Sequence, residues 1–164
     1  MYAIGDAVVY PMHGAGIIED FKEQNIDGSF RKYCILRMPI GDLRIMLEAA
    51  NIEGSNIRPV MPSYDIAKVM TNVFTVPPCP MGDNWNQRYK DNMERIKSGL
   101  LCEAAMVFRN LYCREKQRGL SSAEKKMLSN VKRILLSEIM LSYSVNTDKA
   151  EEILDESIGS VCEL

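Results

Sequence analysis

The period at which apolar residues recur changes near residue 60, and this change limits the fold more than any other feature of the chain. Before it, short β-rich runs follow one another closely, at residues 7–10, 16–21, 32–37, 43–47 and 57–60. Turn residues separate the runs, and Asp27-Gly28 is typical of a tight hairpin because such a turn needs positive φ. The first 60 residues therefore predict a small antiparallel β unit, either a barrel or a curled sheet.

Beyond residue 63 the apolar residues recur three and four positions apart, which is the period of helices. The pattern predicts a short helix over 65–73 and a proline-rich break over 76–82. Four further helices follow, at 85–97, 102–116, 121–141 and 147–158. Ser121 and Glu124 form a capping box at the start of the third of these. The predicted fold class is α+β, with a β unit at 1–62, a short helix and linker at 63–82, and a helical bundle at 83–164.

Composition narrows the class of protein. The chain has 164 residues, 46% of them hydrophobic and 26% charged, and no apolar run reaches about 18 residues. Its first residues lack the pattern of a signal peptide, so a cytoplasmic protein is expected. The five cysteines are scattered and form no C-x-x-C pair. Reduced, mostly packed thiols are therefore expected, and neither a disulfide scaffold nor a zinc site.

The single tryptophan, Trp85, lies among polar and basic neighbours directly after the proline-rich break. Asp83 or Asn84 can cap the following helix, which places the indole on its first turn and exposed. Arg88 and Lys90 are expected beside it in solvent. The charges that sum to −2 are unevenly distributed along the chain. Residues 84–133 carry 12 basic and 5 acidic residues (+7), and residues 134–164 carry 1 basic and 7 acidic residues (−6). This local basic patch would attract a phosphate backbone.

No catalytic constellation is found. His13 is the only histidine, and no nucleophile motif or phosphate-binding glycine loop accompanies it. We therefore expect no enzymatic activity, no cofactor, no metal and no small-molecule substrate. The cluster of acids at Glu151, Glu152, Asp155 and Glu156 is typical of a solvated helix face.

A basic helical module with one exposed tryptophan suits an opening DNA duplex, since an aromatic wedge unstacks base steps while flanking cations hold phosphates. Lys125 and Lys126, at a helix start, and Arg114 are the further candidate phosphate contacts. Binding is expected to depend steeply on salt and little on sequence. The alternative is a protein-protein adaptor in which Trp85 anchors a protein partner without DNA contact. A promoter-specific repressor is disfavoured, because no helix-turn-helix is evident.

The chain resembles the CarD/CdnL family of bacterial transcription regulators along its whole length. The matching segments are Gly5-Asp6-x-Val8-Val9-Tyr10-Pro11-x-His13-Gly14, Gly41-Asp42-Leu43, Asn84-Trp85-x-x-Arg88-Tyr89-Lys90, Arg118-Gly119-Leu120-Ser121 with Glu124-Lys125, and Ala150-Glu151-x-Ile153-Leu154-Asp155-Glu156. The resemblance implies a Tudor-like N-terminal domain that binds the β subunit of RNA polymerase. It also implies a C-terminal domain that contacts promoter DNA at the upstream edge of the bubble. There Trp85 would wedge into the minor groove and stabilise the open complex, with Lys90 and Lys125 on the backbone, in a nucleoid-associated protein.

This chain departs from the family pattern at three positions. Gln24 and Met46 stand where polymerase-binding relatives have arginines, although Ile26 matches. Arg44 lies two residues from Met46 and so on the same strand face, and we expect it to supply the missing charge. Gln87 replaces a common arginine and removes one phosphate contact.

Overall fold

Five antiparallel strands form the N-terminal part of the computed structural model, which describes residues 1–54 and 56–164. The strands are Ala7–Tyr10 (β1), Gly14–Ile26 (β2), Ser29–Arg37 (β3), Arg44–Glu48 (β4) and Arg58–Pro59 (β5). Their spatial order is β4-β3-β2-β1-β5, so that β4 and β5 lie at the two edges. A one-and-a-half-turn helix at Ala49–Glu53 (α1) follows β4 and was not predicted.

The long hairpin of β2 and β3 turns at Asp27-Gly28, as predicted. Both residues have positive φ, 52° and 82°, as a type I′ turn requires. Ile26 pairs with Ser29 beside the turn, and the register is regular until a bulge between Ile18 and Asp20. This turn fixes which side chains of β2 face the same way as those of β3.

One face of the sheet packs its own apolar core. Val8, Ile18, Cys34 and Leu36 are almost fully buried there. Burial raises the pKa of the Cys34 thiol, which keeps it protonated. The outer part of the hairpin extends beyond this core and is exposed.

The C-terminal part is helical, and the five predicted helices are confirmed with bounds that shift by two residues at most. They are Ser63–Phe74 (α2), Trp85–Lys97 (α3), Leu101–Gln117 (α4), Ser122–Tyr143 (α5) and Thr147–Ile158 (α6), followed by a 3₁₀ helix at Val161–Glu163. The predicted apolar stripes of α4 and α5 are buried in one core, with Leu111, Val131, Leu135 and Ile139 near its centre. Together with the sheet, these helices confirm the α+β class. Among the described residues, no helix is long and apolar enough to cross a membrane.

The segment predicted as a linker is held against the helical core. Helix α2 buries Ile66, Met70 and Phe74 in that core. Beyond it, the Cys79 backbone N–H donates to Asn110 Oδ1 at 3.0 Å, and the buried Arg109 donates to Val73 O at 3.0 Å. The proline-rich segment therefore leads into α3 along a fixed path.

The expectation that all cysteines are reduced is wrong for two of them. Cys113 of α4 and Cys162 of the 3₁₀ helix form a disulfide, with Cα atoms 5.1 Å apart. Cys34, Cys79 and Cys102 are free thiols. No spacing pattern marks the pair, because its members lie 49 residues apart and meet only when the C-terminus packs on α4.

Candidate functional site

Trp85 lies at the first position of α3, and its side chain is 49% exposed. Asn84 is the N-cap: its Oδ1 accepts hydrogen bonds from the backbone N–H groups of Asn86, at 3.1 Å, and Gln87, at 3.4 Å. The cap satisfies amides that the helix start leaves free, and so fixes the turn that carries the indole. The predicted exposure and capping of Trp85 are both confirmed.

Arg88 does not lie in solvent, and that expectation is wrong. Its side chain is only 7% exposed and forms a bidentate ion pair with Glu124 of α5, at 2.9 and 2.8 Å. Its third nitrogen donates to the Gly82 carbonyl at 2.8 Å. The inward face of α3 is polar at Arg88 and Asn92, so the apolar residues of this helix do not mark all of its buried positions.

The ion pair joins the starts of two helices. Glu124 is 1% exposed, and its backbone N–H donates to the Oγ of Ser121, the N-cap of α5. Hydrogen bonds from Arg88 foremost, and also from Ser121, hold the pKa of Glu124 below its ordinary value against the opposing effect of burial. Glu124 therefore stays ionised and connects the turn that follows Trp85 to the first turn of α5.

Glu124 is the positioning residue whose role the sequence analysis missed, since it was assigned to the capping box alone. A signal was present: Glu124, Met127 and Val131 follow one inward stripe of α5, and a carboxylate on such a stripe requires a cationic partner.

The predicted cations divide into exposed and partly buried ones. Lys90, Lys125 and Lys126 are exposed. Lys125 and Lys126 sit in the first turn and a half of α5, where free backbone amides and the helix dipole also favour phosphate. Arg114 is half-buried, and its Nε meets no hydrogen-bond acceptor among the described residues. The Arg88–Glu124 pair thus joins the start of α3, which carries Trp85, to the start of α5, which carries Lys125 and Lys126. Lys90 lies about 140° around α3 from Trp85 at 100° per residue.

A second candidate surface lies on the outer part of the sheet. The register pairs Gln24 with Arg31, Ile26 with Ser29, Met46 with Ile35 and Arg44 with Arg37. Because alternate residues of β3 share a face, the four predicted polymerase-binding residues share it too. All four are exposed: Gln24, Ile26 (38%), Arg44 and Met46 (49%).

Arg44 is not free on this face. Its guanidinium donates to both carboxylate oxygens of Glu19, at 2.7 and 3.1 Å, and lies 3.9 Å from Asp42. The hydrogen bond with Arg44 lowers the pKa of the Glu19 carboxyl. Since both side chains are partly in solvent, a partner could exchange this pair for its own carboxylate at small cost.

Comparison with known proteins agrees with this two-part architecture. Residues 2–61 match the CarD-like/TRCF RID domain, and residues 68–155 match the CarD C-terminal domain. The chain belongs to the CarD family. It is 40% identical over 139 residues to the putative transcription factor YdeB of Bacillus subtilis (strain 168), a match that covers 85% of this chain and 90% of that protein. The CarD-like chain is thus a transcription regulator of this family, with a Tudor-like, polymerase-interacting domain at its N-terminus.

Proposed function

We propose that this CarD-like protein stabilises the open promoter complex. Its sheet binds the β subunit of RNA polymerase, and its helical domain binds promoter DNA at the upstream edge of the bubble. There Trp85 enters the minor groove as a wedge. The observation that carries the proposal is the half-exposed indole, held by Asn84 and by the Arg88–Glu124 pair beside the basic start of α5.

Opening a DNA duplex requires stacked bases to separate. Separating two stacked base steps costs a few kcal/mol, and an apolar ring that fills the gap offsets part of it. An indole on a flexible segment would lose entropy on insertion. Trp85 loses less, because its helix turn is capped and fastened to α5 before DNA arrives.

The cations supply an attraction that does not depend on base sequence. Lys125 and Lys126 at the start of α5, Lys90 on α3 and the half-buried Arg114 are the proposed phosphate contacts. Arg88 is not among them, since its guanidinium is occupied by Glu124. With about four phosphates neutralised, log K is expected to fall with log salt at a slope near −3.6. A protein of this kind works at promoters within the nucleoid.

The sheet surface supports the polymerase contact. Ile26 presents apolar area beside the hairpin turn, while Met46 presents apolar area on the edge strand β4, with the charge of Arg44 two residues away. An exposed apolar patch with a charged border is typical of a protein-binding surface. Because this surface and Trp85 lie on different domains, polymerase and DNA can bind together.

The test is the lifetime of the open complex formed by holoenzyme on a forked promoter. Trp85→Ala is expected to shorten the lifetime about tenfold, because stacking on an aromatic ring contributes roughly 1–3 kcal/mol per base. Its affinity for polymerase should not change. Tyr64→Ala, which removes an aromatic ring that is 77% exposed on α2, is the matched control and should leave the lifetime unaltered.

Salt separates this function from the alternative of a protein-protein adaptor. If Trp85 anchors a protein instead, Trp85→Ala weakens a complex that forms without DNA, and that complex changes little with salt. If Trp85→Ala leaves the open-complex lifetime unchanged and weakens a salt-insensitive complex with a protein partner, the proposed function is wrong and the protein is an adaptor.

A further inference from the structure

The two domains meet where the start of β2 crosses α5. Gly14 has positive φ (97°), and a Cβ added there would lie 2.6 Å from Ser137 Oγ and 3.3 Å from the Cα of Ile134. The next residue, Ala15, donates its backbone N–H to the same Ser137 Oγ at 2.9 Å. The backbone of the strand therefore packs closely on α5, leaving no room for a Cβ at Gly14 and placing the Ser137 hydroxyl within hydrogen-bond distance of Ala15.

One ion pair fastens this junction from the side of β5. Arg58 donates from its two terminal nitrogens to the two carboxylate oxygens of Glu138 on α5, at 2.7 and 2.8 Å. Its Nε donates to the carbonyl of Gly99, between α3 and α4, at 2.8 Å. A single side chain of the sheet domain thereby contacts α5 and the end of the helix that begins with Trp85.

Glu138 depends on this partner. Its side chain is 2% exposed, and its only other donor among the described contacts is the backbone N–H of Met61, at 3.1 Å. A carboxylate withdrawn from water in this way is stable only while its charge and lone pairs are met. A bidentate guanidinium satisfies the charge and the lone pairs of Glu138 in one orientation. The pair therefore fixes the relative orientation of the Arg58 and Glu138 side chains as well as their distance.

We propose that Arg58 and Glu138 are positioning residues that hold the sheet domain and the helical domain in one orientation. This inference rests on the proposed function, because the orientation sets where Trp85 lies once the sheet has bound polymerase. With the junction fixed, polymerase binding delivers the indole to one position along the DNA. With the junction loose, both partners still bind, and the indole is spread over many positions.

The expected effect follows from two-site binding. Joining two binding modules raises the local concentration of the second site, by a factor that falls when their separation varies. A loosened junction should therefore shorten the open-complex lifetime without changing how tightly the sheet binds polymerase. A residue that only stabilised the fold would change the fraction of protein that is folded. At a saturating concentration of folded protein, its replacement would leave the open-complex lifetime unchanged.

The first experiment needs no activity. Residual dipolar couplings of the full chain report the orientation of each domain, and in the wild-type protein one alignment tensor should fit both domains. In Glu138→Gln, which keeps the shape and removes the charge, two different tensors are expected. Glu103→Gln is the control, since Glu103 pairs with Arg95 at 3.4 Å within the helical domain. One common tensor for Glu138→Gln would overturn the proposal.

The second experiment measures open-complex lifetime at saturating folded protein, below the melting temperature of each variant. Glu138→Gln is expected to lose about tenfold in lifetime with an unchanged half-saturating concentration for polymerase. Arg58→Lys keeps the charge and loses the bidentate geometry. Its open-complex lifetime should lie between those of the wild-type protein and Glu138→Gln. An unaltered lifetime in Glu138→Gln overturns the positioning role. A wild-type protein that does not prolong the lifetime at all contradicts the proposed function instead, while the dipolar couplings still test the fixed junction.

Discussion

Glu124 determines how the candidate DNA surface is built, although it contacts no DNA in the proposed function. It lies next to Lys125 in the chain and binds Arg88, three residues after Trp85. The start of α3, which carries the indole, and the start of α5, which carries the lysines, are therefore joined by this ion pair. The arginine of the family motif, Arg88, has a structural role in this internal contact.

Replacing Glu124 by glutamine should destabilise the fold by about 3 kcal/mol, because it leaves the buried Arg88 uncompensated. The pKa of Glu124 is lowered in the folded state, so the ion pair contributes its full stability above the unfolded-state pKa. That contribution is lost as the pH falls through the lowered folded-state pKa. Urea unfolding should show a difference in unfolding free energy between the wild-type protein and Glu124→Gln. This difference should be largest at neutral pH and decrease in acid. A difference of equal size at every pH would contradict this role.

Arg44 and Glu19 give the second prediction at this scale. Arg44→Ala should weaken binding to the isolated β-subunit lobe about two- to fivefold, as an exposed charge contributes up to about 1 kcal/mol. Glu19→Gln should strengthen it, because Arg44 no longer has to leave its partner. Titration of the lobe against each variant measures both effects. No loss in Arg44→Ala would remove Arg44 from the proposed interface.

Elements whose ends depend on nearby residues were predictable from the sequence. Asn84 and Ser121 cap the helices that they were expected to cap, and Asp27-Gly28 turns the hairpin, because each of these signals acts within four residues. The partners of Arg88 and Arg58 were not predictable. They lie 36 and 80 residues away, and only the packed fold brings them together.

The two asparagine caps allow a matched test of the helix that carries the indole. Asn84 caps α3, and Asn146 caps α6 with the same chemistry, accepting the Lys149 backbone N–H at 2.9 Å. Replacing either by alanine should cost about 1 kcal/mol of unfolding free energy. Only Asn84→Ala should also shorten the open-complex lifetime, since it frays the turn that holds Trp85. Equal lifetimes in the two variants would show that this turn is not set by its cap.

At the scale of the whole molecule, the sequence predicted two parts and their order, whereas their junction emerged only from the structure. The motif at His13 and Gly14 illustrates why. Its pattern identifies the family, while its physical role is to stack His13 on Tyr10 and to let Gly14 touch α5, 120 residues away. The contact of Gly14 with α5 leaves no period or spacing in the sequence.

The disulfide is the other long-range contact, and its effect on the whole chain can be measured. A link between Cys113 and Cys162 closes a loop of 49 residues, which restricts the unfolded chain and should stabilise the fold by about 4 kcal/mol. Reductant is expected to lower the urea midpoint of the wild-type protein to that of Cys162→Ser, which should itself be insensitive to reductant. Cys102→Ser removes an exposed free thiol and should retain the full response. Identical unfolding of the wild-type protein with and without reductant would mean that the two thiols do not pair in solution.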